Sequence, residues 1–445
     1  MVKTRFAPSP TGSLHIGGLR TALYSYALAK SQKGKFVLRI EDTDKKREVP
    51  GAVDTIKKNL KIFGLDWDEF YIQSERVNSG IYQQAAEKLV ADGHAFYCQC
   101  EAKNAKKEGF SKILRDPCRD KNLISGAVKL KVPDNETVSF IDYVLNKKIV
   151  WNSSEVADTT LLKSDGFPTY HLAVVVDDSD MGITHVFRGH DWLPSTPIHI
   201  LVYKYLGLKM PEIGHLTDIL DPTGKGKLSK RKGSVSVEGF LSEGFLKEAI
   251  LNFIMLLGWA PKDNQEIFTL TEFVEKFGRV GLQKSNPIFN RDKLLWLNSH
   301  YIQSISKEDL AKRIYDFYDH RYGLGLIKQI VPLISTRIRL LSEFDKMAKF
   351  FIEAPKVAKT DFPTNDYLKH LSCAYDTLLK VEKWELDNIN SSLMDMVAKQ
   401  GFKVGKFFMD LRIAITGSKV TPPINESIVI LGKSETLSRI KKLLN

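Results

Sequence analysis

The chain is poor in cysteine: four in 445 residues. That excludes a disulfide framework and points to a reducing compartment, the cytoplasm. Long apolar runs are missing too. The most apolar window, Ala249 to Leu257, is too short to span a bilayer and carries Asn252, so no membrane role is expected. The start, Met1 to Arg5, has no apolar core of a secretory leader. Internal repeats and low-complexity segments are absent, which excludes solenoid and disordered classes. Acid is the scarcer charge: 65 Lys and Arg against 53 Asp and Glu give a net charge of +12. This favours a polyanionic partner such as nucleic acid, although solubility alone also explains such an excess. Hydrophobic residues at 43% and charged residues at 27% are ordinary for a globular protein, and the length allows two to four domains.

What is present begins with the stretch Ala7-Pro8-Ser9-Pro10-Thr11-Gly12-Ser13-Leu14-His15-Ile16-Gly17-Gly18. Val2 to Phe6 before it reads as a buried strand. Leu19, Ala22, Leu23, Tyr26 and Ala29 after it predict a helix from about Leu19. Strand, Gly/Pro loop and helix together present backbone amides at a helix N-terminus, a natural phosphate site, with His15 as a neighbouring donor. A Pro-rich turn before a core helix has the same appearance. Lys35 to Ile40 is a second strand closing on Glu41-Asp42-Thr43-Asp44, which begins a βαβ pattern with polar groups at the carboxyl edge. Gly64 and Gly93 mark the ends of two further helices.

Between Ala95 and Phe167 the pattern breaks into Cys98-Gln-Cys100, a basic run from Lys103 to Lys107, Cys118-Arg119-Asp120, and strand-like pieces at Ala127 to Val132 and Thr137 to Tyr143. This reads as an inserted, mostly β module. Its cysteines and nearby Asp can form a zinc site, though not at the spacing of a standard finger. Pro168 to Asp178 is a near-continuous apolar run closing on acids, which predicts a central parallel strand. Ile183 to Gly189 predicts another, Ser195 to Leu206 a helix capped by Gly207, and His215 to Leu220 a last strand. Gly224 to Gly233 then interleaves five cations with Gly and Ser, a basic loop able to close over a polyphosphate or simply a solvated surface loop. From Val237 onward the patterns are helical, with a capping box at Thr269-Leu-Thr-Glu272.

The His-containing glycine turn after the first strand, paired with Lys227-Leu228-Ser229-Lys230-Arg231 after the last, resembles the class I aminoacyl-tRNA synthetases. The match is to the bacterial-type glutamyl-tRNA synthetases. Arg5 to Gly18, Leu38 to Asp44, Pro168-Thr169-Tyr170, Val175 to Asp178 and Met181 to His185 extend it. The resemblance is dense to about residue 300 and continues as a similar helical layout. It implies an α/β Rossmann-like catalytic domain with an inserted mixed α/β domain, followed by an all-α helical C-terminal half. The expected segments are 1–94 and 168–220 for the catalytic domain, 95–167 for an acceptor-stem-binding insert, 221–303 for the signature loop and stem contact, and 304–445 for anticodon binding.

The activity so implied is ATP-dependent activation of L-glutamate to the adenylate and its transfer to tRNA(Glu). The alternative is an enzyme that also charges tRNA(Gln). His15, Lys227 and Lys230 are the implied catalytic residues. ATP, accompanied by Mg²⁺, is expected at Pro8, Ser9, Thr11, Gly12, His15, Gly17, Gly18, Lys227, Leu228, Ser229, Lys230 and Arg231. Glutamate is expected at Arg5, Ala7, Ser9, Glu41, Tyr170 and Arg188, with Arg5 on the side-chain carboxylate. Val174 replaces an Asn of the relatives, and His190 stands at a position commonly acidic or small. Cys98, Cys100, Cys118 and Asp120 form the implied zinc set. Leu114 occupies the usual Tyr position, which weakens that set. A cytoplasmic monomer is expected.

Overall fold

The computed structural model describes residues 1–100, 114–228 and 235–445, without the side chain of Lys46. The basic run 103–107 and the loop residues Ser229, Lys230 and Arg231 lie outside the described residues. The chain divides into two units, Met1–Leu241 with Lys247–Lys293, and Ser242–Leu246 with Leu294–Asn445.

In the first unit β1 (Lys3–Phe6) leads to α1 (Ile16–Ser31), β2 (Lys35–Ile40), α2 (Ala52–Ile62), β3 (Glu69–Ile72), the short α3 (Gln73–Val77) and α4 (Ile81–Ala91). The strands pair in parallel, Thr4 opposite Phe36 and Leu38 opposite Phe70. The tight return from α1 to β2 depends on Gly34, where a Cβ would lie 2.0 Å from the Val2 carbonyl oxygen. Helix α1 starts ahead of the expected Leu19 because His15 is its N-cap, the ring Nδ1 accepting from the Gly17 amide at 3.1 Å.

The inserted segment holds β4 (Ala95–Cys98), β5 (Ala127–Leu130), β6 (Thr137–Asp142), β7 (Lys147–Asn152) and β8 (Thr160–Leu162). The two strand-like pieces read from the sequence do not pair with each other. Strand β5 lies antiparallel between β4 and β8, and β6 forms a hairpin with β7.

The run expected as a central strand, Pro168 to Asp178, is instead helix α5 (Tyr170–Asp180). Leu172 to Asp178 are all buried, so the helix has no solvent face to imprint a 3.6-residue period on the sequence. Then follow β9 (His185–Gly189), α6 (Thr196–Leu206) and β10 (Glu212–Leu216), the last strand ending sooner than expected. Strand β9 is parallel to both β1 and β10, giving the sheet order β10-β9-β1-β2-β3. The chain thus leaves β1 toward β2 on one side and returns at β9 on the other, a topological switch whose crevice opens at the carboxyl ends of the strands. Helices α7 (Val237–Ser242), α8 (Lys247–Met255) and α9 (Leu270–Lys276) complete this part, α9 opening on the predicted capping box.

The second unit contains no strand among its described residues. Its helices are α10 (Arg291–Ser304, from Leu294), α11 (Lys307–Phe317), α12 (Leu324–Ile334), α13 (Phe344–Ala348), α14 (Tyr367–Leu379), α15 (Leu386–Gln400), α16 (Val404–Thr416), α17 (Ile424–Leu431) and α18 (Lys433–Leu444). Leu371, Leu393, Phe407, Leu411 and Ile428 are among the apolar residues that knit the last five. No helix of the described chain is long and apolar enough to cross a membrane.

Helix α5 is tied to α3 and α4 by a buried carboxylate. Asp177 accepts from Gln73 Nε2 at 2.8 Å, Arg76 Nε at 2.9 Å and the Tyr82 hydroxyl at 2.9 Å. Asp177→Ala leaves Gln73 and Tyr82 without their acceptor and Arg76 with Asp180 alone, and is expected to cost about 3–5 kcal/mol in urea unfolding. Asp180→Ala, which removes only the outer Arg76 contact, should cost less than about 1 kcal/mol.

Candidate active site

At the carboxyl edge of the sheet, beside the β1–β9 switch, lies a cavity of about 290 Å³. Its wall includes Arg5, Ala7, Pro8, Ser9, Thr11, Gly12, His15, Gly18, Glu41, Tyr170 and Arg188, all named from the sequence, together with Trp192. The loop after β1 is pinned from outside: Glu41 N donates to Pro8 O at 3.0 Å and Val49 N to Pro10 O at 2.9 Å. The Nδ1 of His15 accepts from the Gly17 amide, so a neutral ring carries its proton on Nε2. Gly17 does not line the cavity. A Cβ there would meet the His15 ring at 3.4 Å.

Three guanidiniums converge beneath this loop. Arg5 sends Nε to Asp178 Oδ1 at 3.3 Å and Nη1 to Phe187 O at 3.2 Å. Arg39, fully buried in β2, reaches Asp178 Oδ1 at 2.7 Å and Glu41 Oε1 at 3.0 Å. Burial favours the neutral acid at Asp178, yet Arg5 and Arg39 outweigh it and hold the group below its ordinary pKa. At Glu41 burial wins over the same two cations, and its pKa rises.

Arg188, at the end of β9, differs. Its Nε donates to His215 Nε2 at 2.9 Å, Nη1 to His199 Nδ1 at 2.9 Å and to the Tyr170 hydroxyl at 3.4 Å, and Nη2 to Thr196 Oγ1 at 2.7 Å. No carboxylate among the described residues pairs with it. Arg5 and Arg39 share Asp178, and Arg39 also holds Glu41. In a site of low dielectric the guanidinium left without a carboxylate favours an anionic group of a ligand.

An arginine is always charged, so the imidazole nitrogens facing Arg188 must be acceptors. His199 therefore carries its proton on Nε2, which lies 3.2 Å from His171 Nδ1. His215 carries its proton on Nδ1, 2.5 Å from Asp142 Oδ2. All three rings are held neutral. Burial, aided by Arg188, lowers His171 to about 4, and burial also lowers His199 and His215, the latter against the pull of Asp142.

The basic loop is described only to Leu228. Leu228 N donates to Ile219 O at 2.8 Å, so its first half folds back as an antiparallel ladder. Lys227 does not line the cavity: its Nζ contacts Asp191 and, at 2.9 Å, Asp218. Burial opposes its charge, but these two carboxylates raise its pKa. The roles expected of Ser229, Lys230 and Arg231 fall outside the described residues.

In the insert, Cys98, Cys100 and Cys118 meet Asp116, not the expected Asp120, with all donor atoms within 4.8 Å of one another. Asp120 instead points to solvent and contacts Lys131 at 3.2 Å. The reason is local: Asp116 accepts from the Cys118 amide at 2.8 Å and from Lys129, which turns its carboxylate back toward the sulfurs. Cys100 and Cys118 Sγ atoms are 3.4 Å apart, unbonded.

Sequence reasoning missed Asp178 as the charge partner of Arg5, Arg39 as the second arginine on that carboxylate, His199, His215 and Thr196 as partners of Arg188, and Asp142 as the partner of His215. Arg39 alone left a plain signal, an arginine inside an otherwise apolar strand.

Residues 1–296 match the family described as tRNA synthetases class I (E and Q), catalytic domain, and residues 308–444 an anticodon binding domain. A glutamate--tRNA ligase of Finegoldia magna is 38% identical, covering 100% of this chain and 99% of its own. One from Clostridium tetani is 39% identical over 99% of this chain and 96% of its own. The crystal structure of a glutamate tRNA ligase from Elizabethkingia meningosepticum, in complex with its amino acid, superposes with a TM-score of 0.87 at 30% identity. It covers 100% of this chain and 99% of that one.

The neutral imidazoles predict acid sensitivity. Below about pH 6.5 the unfolded chain takes up protons that folded His171, His199 and His215 refuse, so stability falls as pH drops from about 6.5 toward 4. Melting temperatures across that range should show the decline. His171→Gln, which keeps an acceptor and cannot charge, should make it shallower.

Proposed function

The chain belongs to the class I tRNA synthetases of the E and Q type, and on that footing we propose that it is a glutamate–tRNA ligase. It joins L-glutamate to ATP to form glutamyl-adenylate and diphosphate, then passes the glutamyl group to the terminal ribose hydroxyl of tRNA(Glu), releasing AMP. The observation that carries the substrate is the pair of guanidiniums on the cavity wall, Arg5 and Arg188. Glutamate offers a carboxylate to each. Glutamine offers only one and leaves a buried guanidinium facing a neutral amide. Nothing in the pocket or among the named relatives favours a wider range that includes tRNA(Gln).

The roles follow from chemistry at each position. Arg5 and Arg188 take the two carboxylates, a task suited to the planar, always-charged guanidinium. Glu41 and Ser9 accept from the α-ammonium, and Tyr170 closes the side of the pocket. Ala7, Pro8, Thr11 and Gly12 shape the loop against the nucleotide. The His15 Nε2–H and the Gly18 amide at the start of α1 face ATP phosphates, while the Gly17 amide is taken by His15 Nδ1 and holds that ring in place. No side-chain nucleophile is needed: the glutamate carboxylate attacks the α-phosphorus, so catalysis rests on positioning and on charge. Lys227 with Lys230 supplies that charge when the basic loop, including Leu228, Ser229 and Arg231, closes over the phosphates. In the described conformation Lys227 is engaged by Asp191 and Asp218, so closure exchanges these carboxylates for phosphate. Mg²⁺ accompanies ATP. Residues 95–167 take the acceptor end of the tRNA, 221–303 the stem, and 304–445 the anticodon. Four free cysteines suit a cytoplasmic enzyme.

The donors in the insert fit zinc: three cysteine sulfurs and a carboxylate oxygen, all within 4.8 Å of one another. Bound there, zinc would hold the insert together and take no part in the reaction. Purified without chelator, the protein should carry about one zinc per chain. Elemental analysis should find that zinc lost in Asp116→Ala and retained in Asp120→Ala.

The decisive assay supplies Mg²⁺, ATP, tRNA(Glu) and either glutamate or glutamine. Charging with glutamate alone is expected, and none with either amino acid defeats the reading. Arg188→Gln should raise the KM for glutamate by about 30-fold or more, the usual cost of removing a buried charged partner.

A further inference from the structure

The way Arg188 is held goes beyond its contact with a ligand. A buried guanidinium ordinarily rests on a carboxylate, as Arg39 does on Asp178 at 2.7 Å and Arg5 does at 3.3 Å. Arg188 is only 6% exposed and has four of its N–H directions taken by His215, His199, Tyr170 and Thr196. Every one of those acceptors is neutral. The nearest buried acid on this side, Asp142, stands behind His215 instead of against the arginine.

The support for His215 comes from the insert. Asp142 is the last residue of β6. Its Oδ1 accepts from the amides of Val144 and Leu145 at 2.9 and 2.8 Å, which fixes the carboxylate, and its Oδ2 receives His215 Nδ1 at 2.5 Å. The turn after β6 packs directly on β10, with Tyr143 N donating to Ile213 O at 2.9 Å. Gly214 permits this: a Cβ there would lie 2.7 Å from Val144 Cγ2. Asp142 thus dictates which nitrogen of His215 is bare, and that nitrogen receives Arg188. On the other side His199 is fixed in the complementary tautomer with His171 behind it.

We propose that His199, His215 and Thr196, with Asp142 behind His215, are positioning residues that orient Arg188 without neutralising it. They thereby set how tightly the pocket holds the carboxylate that Arg188 takes. The inference rests on the reading that glutamate is the substrate at Arg188. A carboxylate placed directly on the guanidinium would orient it equally well but would cancel the charge that the ligand must meet. Neutral acceptors give orientation and leave the charge in place.

The test uses the full-length enzyme in steady-state charging, with glutamate, ATP and tRNA(Glu) each varied in turn. Thr196→Val is isosteric and removes one acceptor; His199→Leu removes another; His199→Gln keeps an acceptor for Arg188 and a donor for His171. Thr196→Val and His199→Leu are expected to raise the KM for glutamate by about tenfold. The KM for ATP and for tRNA should stay within about twofold. His199→Gln should return the glutamate KM to within about threefold of the unaltered enzyme. If His199→Leu does not fold, Thr196→Val and His199→Gln decide. The inference is overturned if Thr196→Val keeps the original KM, if the KM for ATP rises in parallel, or if a folded His199→Gln fails to rescue. An unaltered enzyme that charges normally while the variants match it defeats this inference alone. An unaltered enzyme that charges no glutamate defeats the reading beneath it, and the inference with it.

Discussion

The pocket depends on a single carboxylate, Asp178, shared between two buried arginines. Asp178 sits near the end of α5 and holds both Arg5 of β1 and Arg39 of β2. Burying such charges costs several kcal/mol each and is tolerated only where every group is paired and hydrogen-bonded. Arg39 is hydrogen-bonded to Asp178 and Glu41 through its two terminal nitrogens, while its Nε has only the 3.8 Å ion pair with Asp177. The cluster fastens α5 against the carboxyl ends of β1 and β2, where the crevice opens, and it also fixes what the crevice can bind. With Arg5 partly satisfied by Asp178, the unspent charge of the site resides at Arg188.

This arrangement gives α5 two tasks that pull in different directions. Its middle turn must be apolar all round to pack against the insert and α6, and Leu172 to Val176 make it so. Its two ends must bring polar groups to the ligand and to the arginines: Tyr170 at the start, Asp177 and Asp178 near the close. Val174 lies in the buried stretch, at 3% exposure. At this position of the helix the chain offers a purely apolar contact.

The division between what was legible in the sequence and what was not follows the range of the interactions. The β1 loop, the βαβ start, the helix at Thr196–Leu206, the capping box at Thr269 and the helical second half are encoded within a few residues each, by Gly, Pro and cap chemistry or by period. The family motifs carry most of the residues that line the cavity. Helix α5 was misread because a helix buried on all sides has no polar stripe, and a run such as Ala173 to Val176 is equally apt for a central strand. The partners of Arg188 were hidden for a different reason. Asp142, Thr196, His199 and His215 come from three elements spread over more than seventy residues, and a buried histidine that serves as an acceptor looks in sequence like any other. Asp116 displaced Asp120 from the thiol cluster through one backbone amide and one lysine, neither of which spacing reveals.

The contrast between Arg39 and Arg188 shows how one fold uses the same side chain for opposite ends. Arg39 is surrounded by carboxylates, and burial makes those pairs strong; it is structural and has nothing left to offer a ligand. Arg188 is surrounded by imidazoles and hydroxyls, which satisfy its geometry while leaving its charge in a medium where charge is felt at full strength. Holding a cation in that state costs stability, and a protein selected for stability alone would have placed an acid beside it. The neutral cradle fixes the direction of the Arg188 guanidinium and leaves its counter-charge to come from outside the cradle.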